Sequence, residues 1–203
     1  MKRFILILAT TILLMVIYRF CLYKPNKPQQ EVEKKSYQTK HSASFDSSIN
    51  QIVSTYLSLK DAFVDADSLK IKKTGSEFFQ AVNNLDTNLL RNDTLCMYDL
   101  AMSILQDMGK NASMILNKND LTDMRKDFSS LTDVMYPAFF QTIHYEGSTL
   151  YLQNCPMAFQ DEIPANWISN SNQIENPYLG KKHPVYKATM LHCGEVKDSI
   201  ISK

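Results

Sequence analysis

The chain has few of the residues that make tight turns, with 5 glycines and 7 prolines among 203 residues. That shortage argues against an all-β fold built from many short strands. Charge of either sign is not in excess, at 22 Lys and Arg against 21 Asp and Glu. Such a balance lacks the concentrated basic face that a nucleic-acid partner requires. HExxH, CxxC and a glycine-rich phosphate loop are all missing, and with them the usual signatures of zinc hydrolysis, dithiol redox chemistry and nucleotide binding. No internal repeat is present, which removes a helical solenoid. His192 adjoins Cys193, but neighbouring side chains in extended chain point apart, so the pair makes a poor base and nucleophile. No enzyme is expected.

What is present starts with Lys2 and Arg3 ahead of an apolar run from Phe4 to Tyr18, the pattern of an export signal. The residues that follow, Tyr18-Arg19-Phe20-Cys21-Leu22-Tyr23, are too bulky for signal cleavage, and Cys21 lacks the small residues of a lipobox. Counted through Tyr23, the run reaches the ~20 residues of a spanning helix, and Arg19 can snorkel at its end. The expectation is an uncleaved signal anchor over residues 1–23, in the inner membrane, with the domain on the periplasmic side. Lys2 and Arg3 favour that orientation, while Arg19, Lys24 and Lys27 oppose it. Residues 24–44, with Pro25, Pro28 and mixed charges, read as a solvated tether.

Helical spacing then takes over. Phe45, Ile49, Ile52, Tyr56, Leu59 and Phe63 form one stripe; Phe78, Val82, Leu85 and Leu89 a second. A third runs through Tyr98, Ala101, Leu105, Met108, Ala112 and Ile115, and a fourth through Leu121, Met124, Phe128, Leu131 and Met135. Asp65 or Asp67, Asn92 or Asp93, and Asn119 or Asp120 are placed to cap the last three, and Pro137 ends or kinks the fourth. Met97, Met102, Met108, Met114, Met124 and Met135 read as core fillers, and Cys96 as a buried thiol. The expected fold class is all-α: an up-down four-helix bundle over 45–142 with an irregular C-terminal wrap over 143–203. A short hairpin or extended turn is expected around Glu146-Gly147-Ser148. Trp167, Tyr178 and Phe159 are expected to plug the wrap onto the helices, and Arg125 to hold its carbonyls.

The wrap carries two sulfur-bearing stretches, Cys155-Pro156-Met157 and Met190-Leu191-His192-Cys193-Gly194. Thiolate and thioether suit Cu(I), which prefers few soft ligands; His144, His183 or His192 could add an imidazole nitrogen. Cys155, Met157, Met190, Cys193 and His192 are therefore candidate metal ligands. The alternative is structural: in an oxidising compartment Cys155 and Cys193 would form a disulfide, stabilising the fold by about 4 kcal/mol in the chain-entropy account. Met157 and Met190 would then be packing residues.

Cys155-Pro156-Met157-Ala158, Asn166-Trp167-Ile168-Ser169, Asn176-Pro177-Tyr178-Leu179-Gly180 and Met190-Leu191-His192-Cys193-Gly194 come in a distinctive order. Together with Tyr56-Leu57-x-Leu59-Lys60-Asp61-Ala62 and Arg125-x-x-Phe128 they resemble an uncharacterised bacterial helical domain. It is found alone or attached to periplasmic adaptor subunits of copper and silver efflux systems. The likeness covers about Ile49 to Ile200. It implies an envelope location, metal handling and an envelope efflux or metal-handling partner, with Asn176 and Pro177 in structural roles. The chain departs from the pattern at His192 and in carrying nothing like an adaptor barrel or hairpin. Two readings remain: a membrane-tethered, non-enzymatic domain that binds or presents copper, and an interaction module whose cysteines are structural.

Overall fold

A computed structural model describes residues 43–92, 95–159 and 162–201. The N-terminal run, Cys21 and all but the end of the expected tether lie outside the described residues, as do the side chains of Leu89, Cys96 and Met97. Among the described residues no helix is long and apolar enough to cross a membrane.

The four stripes do form helices. In α1 (Ala43–Asp65) every residue of the first stripe is buried. Ala66 turns the chain in the left-handed region, at φ 50°, and Asp67 caps α2 (Ser68–Asn83) by accepting from the Leu69 and Lys70 amides at 3.0 Å each. That helix stops before Leu85, which is buried in the connection, and Leu89 falls in a 3-10 segment, Thr87–Asn92. Helix α3 (Leu95–Asn117) follows, and α4 (Leu121–Val134) opens on Asp120, whose carboxylate accepts from Thr122 and Asp123. The helical path continues through a wide turn, Met135–Phe139, and a last turn, Phe140–Thr142. Tyr136 is extended inside it, as the residue before a proline tends to be. Of the methionines expected in the core, Met108, Met124 and Met135 are buried, whereas Met102 and Met114 lie on the solvent side of α3. Each helix packs against its successor in the chain.

The all-α expectation does not survive. Beyond the helices lies a three-stranded antiparallel sheet, ordered β2-β1-β3, made of β1 (Leu150–Phe159), β2 (Ile163–Ser169) and β3 (Glu195–Ile200). The fold is mixed, four helices plus a sheet, and the expected hairpin at Glu146-Gly147-Ser148 is only the approach to β1. Two things hide the strands. Pro156 lies within the central strand, a position where proline argues against a sheet. It is tolerated because it falls past the last pairing with β3, Asn154 with Glu195, and inside the register break against β2 between Cys155 and Phe159. Burial also fails to alternate: Trp167, Ile168 and Ser169 are all buried in sequence, because β2 is covered on both faces.

Helices meet sheet through a relay of hydroxyls. The Ile168 amide donates to the Tyr56 hydroxyl (3.2 Å), which lies 2.6 Å from the Thr132 hydroxyl, which donates to the Phe128 carbonyl (3.1 Å). Every member has a partner in a setting where an unpaired polar group is expensive. Around the relay Tyr56 stacks on Phe128, and Phe128 touches Phe63 and Tyr178. A second tie lies at the end of α1. Lys181 donates its backbone N–H to the Val64 carbonyl and its ammonium to Asp65, which also holds Lys70.

Tyr56→Phe leaves the Ile168 amide unpaired and should lower unfolding free energy by about 1–3 kcal/mol in denaturant titration; a change within error would remove the relay as a structural tie. Hydrogen bonds from Lys181 and then Lys70 lower the Asp65 carboxyl to about 2. Its folded value is below its unfolded one, so its stabilisation is present above pH ~4 and is lost as pH falls toward about 2. Exposure of both lysines keeps the effect modest. Wild type should therefore lose stability over that window more steeply than Asp65→Asn, and parallel profiles would show the tie to be inert.

Candidate functional site

Cys155 sits at the end of the paired part of β1, facing Ala165 of β2. It is fully buried. Burial pushes its thiol above the ordinary cysteine value, partly offset by hydrogen bonds from the Met157 backbone and the Asn176 side chain. Cys193 arrives from the loop between β2 and β3 through a turn closed by its own amide on the Met190 carbonyl (3.0 Å). The next residue makes the approach possible. Gly194 has φ 142°, and a Cβ there would lie 2.7 Å from the Asn154 carbonyl and 2.9 Å from the Trp167 ring. Only glycine lets the chain come this close to β1 before Glu195 starts pairing with Asn154. The result is two unbonded sulfurs 3.9 Å apart, Cys193 being half-buried.

A buried amide holds this geometry. Asn176 donates its side-chain N–H to the Cys193 carbonyl (2.8 Å) and accepts from the Tyr178 and Leu179 amides (2.8 and 3.0 Å). Its own backbone amide donates to the Leu191 carbonyl (2.8 Å). From Pro177 to Gly180 the chain is buried along with it. Tyr178 fills the space between Phe128, Phe159 and Trp167, and its hydroxyl donates to the Asn166 carbonyl. Gly180 turns at φ 58° against the Val64 carbonyl, where a Cβ would lie 2.8 Å away.

The remaining candidates divide. Met157 and Met190 are half-buried against the same core. The register break means that strand alternation does not by itself set the Met157 sulfur beside Cys155. His192 is exposed, and its Nδ1 lies 2.7 Å from the Ile174 carbonyl. A carbonyl can only accept, so Nδ1 carries a proton, and in the neutral ring Nε2 holds the lone pair. His183 has its Nδ1 engaged by the Val185 and Tyr186 amides and its ring stacked on Tyr186. His144 is exposed at the end of the helical part, at φ 48°. Arg125 makes a helix-to-loop bond, its Nε donating to the Pro177 carbonyl (3.0 Å). Trp167 is fully buried, with no protein partner for its indole N–H among the described residues. Gln153 is a structural residue that the sequence does not announce. It is fully buried in β1, and its side-chain amide donates to the Ser171 and Gln173 carbonyls (2.8 and 3.0 Å). No periodic signal marks a lone glutamine.

Residues 52–146 match the family model described as "Protein of unknown function (DUF3347)". The matched stretch holds the helical part from within α1 onward and stops short of the sheet and of Cys155 and Cys193. The helical part is thus similar to an uncharacterised domain. No curated protein and no solved structure matches the chain.

Replacing Asn176 with alanine orphans two buried amides and one carbonyl, and should destabilise the fold by about 3 kcal/mol or more. It should also open Cys155 to thiol labelling, read by mass mapping of the labelled peptides. Protection equal to wild type would mean that Asn176 does not hold the site.

Proposed function

We propose that the chain is a non-enzymatic domain that holds a soft metal ion of the Cu(I) class between Cys155 and Cys193. The observation that carries this reading is the pair of unbonded sulfurs 3.9 Å apart, supplied by separate elements and held by Asn176 and Gly194. Thiolates select soft ions, and thioethers such as Met157 and Met190 extend the same preference. Zinc wants four nitrogen, sulfur or carboxylate ligands. Among the described residues no cluster of three or more His, Cys, Asp or Glu side chains gathers to supply them, so the donor set favours an ion satisfied by fewer ligands. His192 keeps an Nε2 lone pair beside Cys193 in sequence, and a ligating histidine commonly donates its other N–H to a carbonyl in this way. Binding would displace the thiol protons.

The apolar N-terminal run supports attachment to the inner membrane with the domain on the periplasmic side. The likeness to a domain attached to copper and silver efflux adaptors supports an envelope partner of that kind. A second reading rests on the same sulfurs. Closing 3.9 Å to the ~2.05 Å of an S–S bond takes a small movement, and a disulfide would then pin the β2–β3 loop to β1.

Cu(I) titration of the reduced full-length chain against a competing chelator decides the matter. One tight equivalent is expected, abolished in Cys155→Ser and Cys193→Ser and weakened in Met157→Leu or Met190→Leu. Trp167, the only tryptophan, lies where a Gly194 Cβ would touch its ring, so its emission should change on loading. Equally weak binding by wild type and all variants would sink the metal reading. Intact mass with and without reductant tests the disulfide.

A further inference from the structure

Beside Tyr178, α4 and the paired strands β1 and β2 border a cleft of about 480 Å³. One wall is polar and comes from α4: Thr122, Arg125, Lys126 and Ser129. Their spacing of three, one and three residues puts them on one face of the helix. The other wall is apolar, chiefly Phe159, Ile163 and Tyr178, with Ala158, Pro164 and His183 completing the lining. A concave site of this size, mostly apolar with a few convergent polar groups, has the form of a small-molecule pocket.

Arg125 is the unusual member. Its residue is 6% exposed, yet it makes one hydrogen bond, from Nε to the Pro177 carbonyl. Nη2 is buried next to Gly180, without a protein partner among the described residues. No ion pair to it forms among the described residues, and Asp120 acts on it only at longer range. Burial lowers the guanidinium to about 10, which still leaves it charged at neutral pH. A buried cation without a counter-charge is costly, and an orphaned buried donor calls for an explanation. Among the described residues the cleft lining holds Arg125 and Lys126 and no carboxylate. Ile163, half exposed at 52%, adds an apolar surface facing water.

We propose that this cleft binds a small organic carboxylate, its carboxylate on Arg125 and its apolar body between Phe159, Ile163 and Tyr178. Nε is engaged by Pro177 and Nη2 is sealed beside Gly180, so Nη1 is the donor left for a ligand, and a carboxylate there would give the cation a counter-charge that none of the described residues supplies. Lys126, already paired with Asp123 at 3.3 Å, contributes field at the rim. The cysteines are not in the lining, so the proposal stands apart from the metal reading.

The test is calorimetric titration of the full-length chain with phenylbutyrate, with phenylbutyramide and with inorganic phosphate. Phenylbutyrate should bind, while the amide and phosphate should bind at least about tenfold more weakly, since one lacks the charge and the other the apolar body. Arg125→Lys should lose about tenfold, and Ile163→Ala several-fold. If Arg125→Lys fails to fold by circular dichroism, Lys126→Gln and Ile163→Ala decide, being exposed positions outside the Pro177 bond. No binding of phenylbutyrate, equal binding of acid and amide, equal binding of phosphate, or affinity unchanged in every folded variant would each overturn the proposal.

Discussion

One buried amide, the side chain of Asn176, sets the terms for much of this structure. Its oxygen accepts from two amides that follow it in the chain, Tyr178 and Leu179, while its nitrogen donates to Cys193 on the way into β3. A primary amide accepts on one atom and donates from another, which an ionised carboxylate of the same shape cannot do. The consequence is that the loop between β2 and β3 has a defined path despite containing almost no regular structure. Tyr178 is thereby driven into the aromatic cluster, and the Pro177 carbonyl is presented to Arg125. The thiol pair and the arginine cleft are chemically unrelated, yet both inherit their shape from this short run of buried residues.

Helices and sheet differ sharply in how well they can be read from residues alone. The helices bury one face, so a repeat of three and four residues survives intact, and Asp67 and Asp120 mark starts by their own hydrogen bonds. The sheet buries both faces of β2, and β1 places a glutamine in the core and a proline in mid-strand. Each of those features reverses a cue that strand recognition depends on. The thiol pair is legible as a candidate because cysteine is scarce and the flanking motifs are distinctive. Its rigidity is not legible, because Asn176 and Gly194 act through contacts that link residues far apart in the chain. Arg125 can be recognised for the bond it makes to the loop. Its unpaired end depends on Gly180 and on the strand wall, and neither has a local pattern. The polar face Thr122, Arg125, Lys126 and Ser129 is visible as helical spacing, but a polar helix face ordinarily meets only solvent.

The two ties between the helices and the rest of the chain work in different physical regimes. The hydroxyl relay from Ile168 to Phe128 is buried and uncharged, so its contribution persists across salt and pH. The Asp65 cluster lies at the surface and depends on ionisation. Burial also holds the Tyr56 and Tyr178 hydroxyls well above their ordinary titration range. The seam that positions both sites is thus insulated from moderate changes of pH, while the end of α1 is not.

The order of the strands has a consequence in time. The middle strand, β1, is synthesised before either neighbour, and β3 follows only after the long loop. Helical contacts are local and close early, whereas pairing across such a span must first overcome loop-closure entropy. A ribosome therefore presents Cys155 on a strand with one bare edge, and its partner thiol comes later. A metal or an oxidant that joined the two sulfurs would act as a final clasp on a nearly finished fold. Before that step the open edge of β1 is the part of the nascent chain most in need of protection from neighbours.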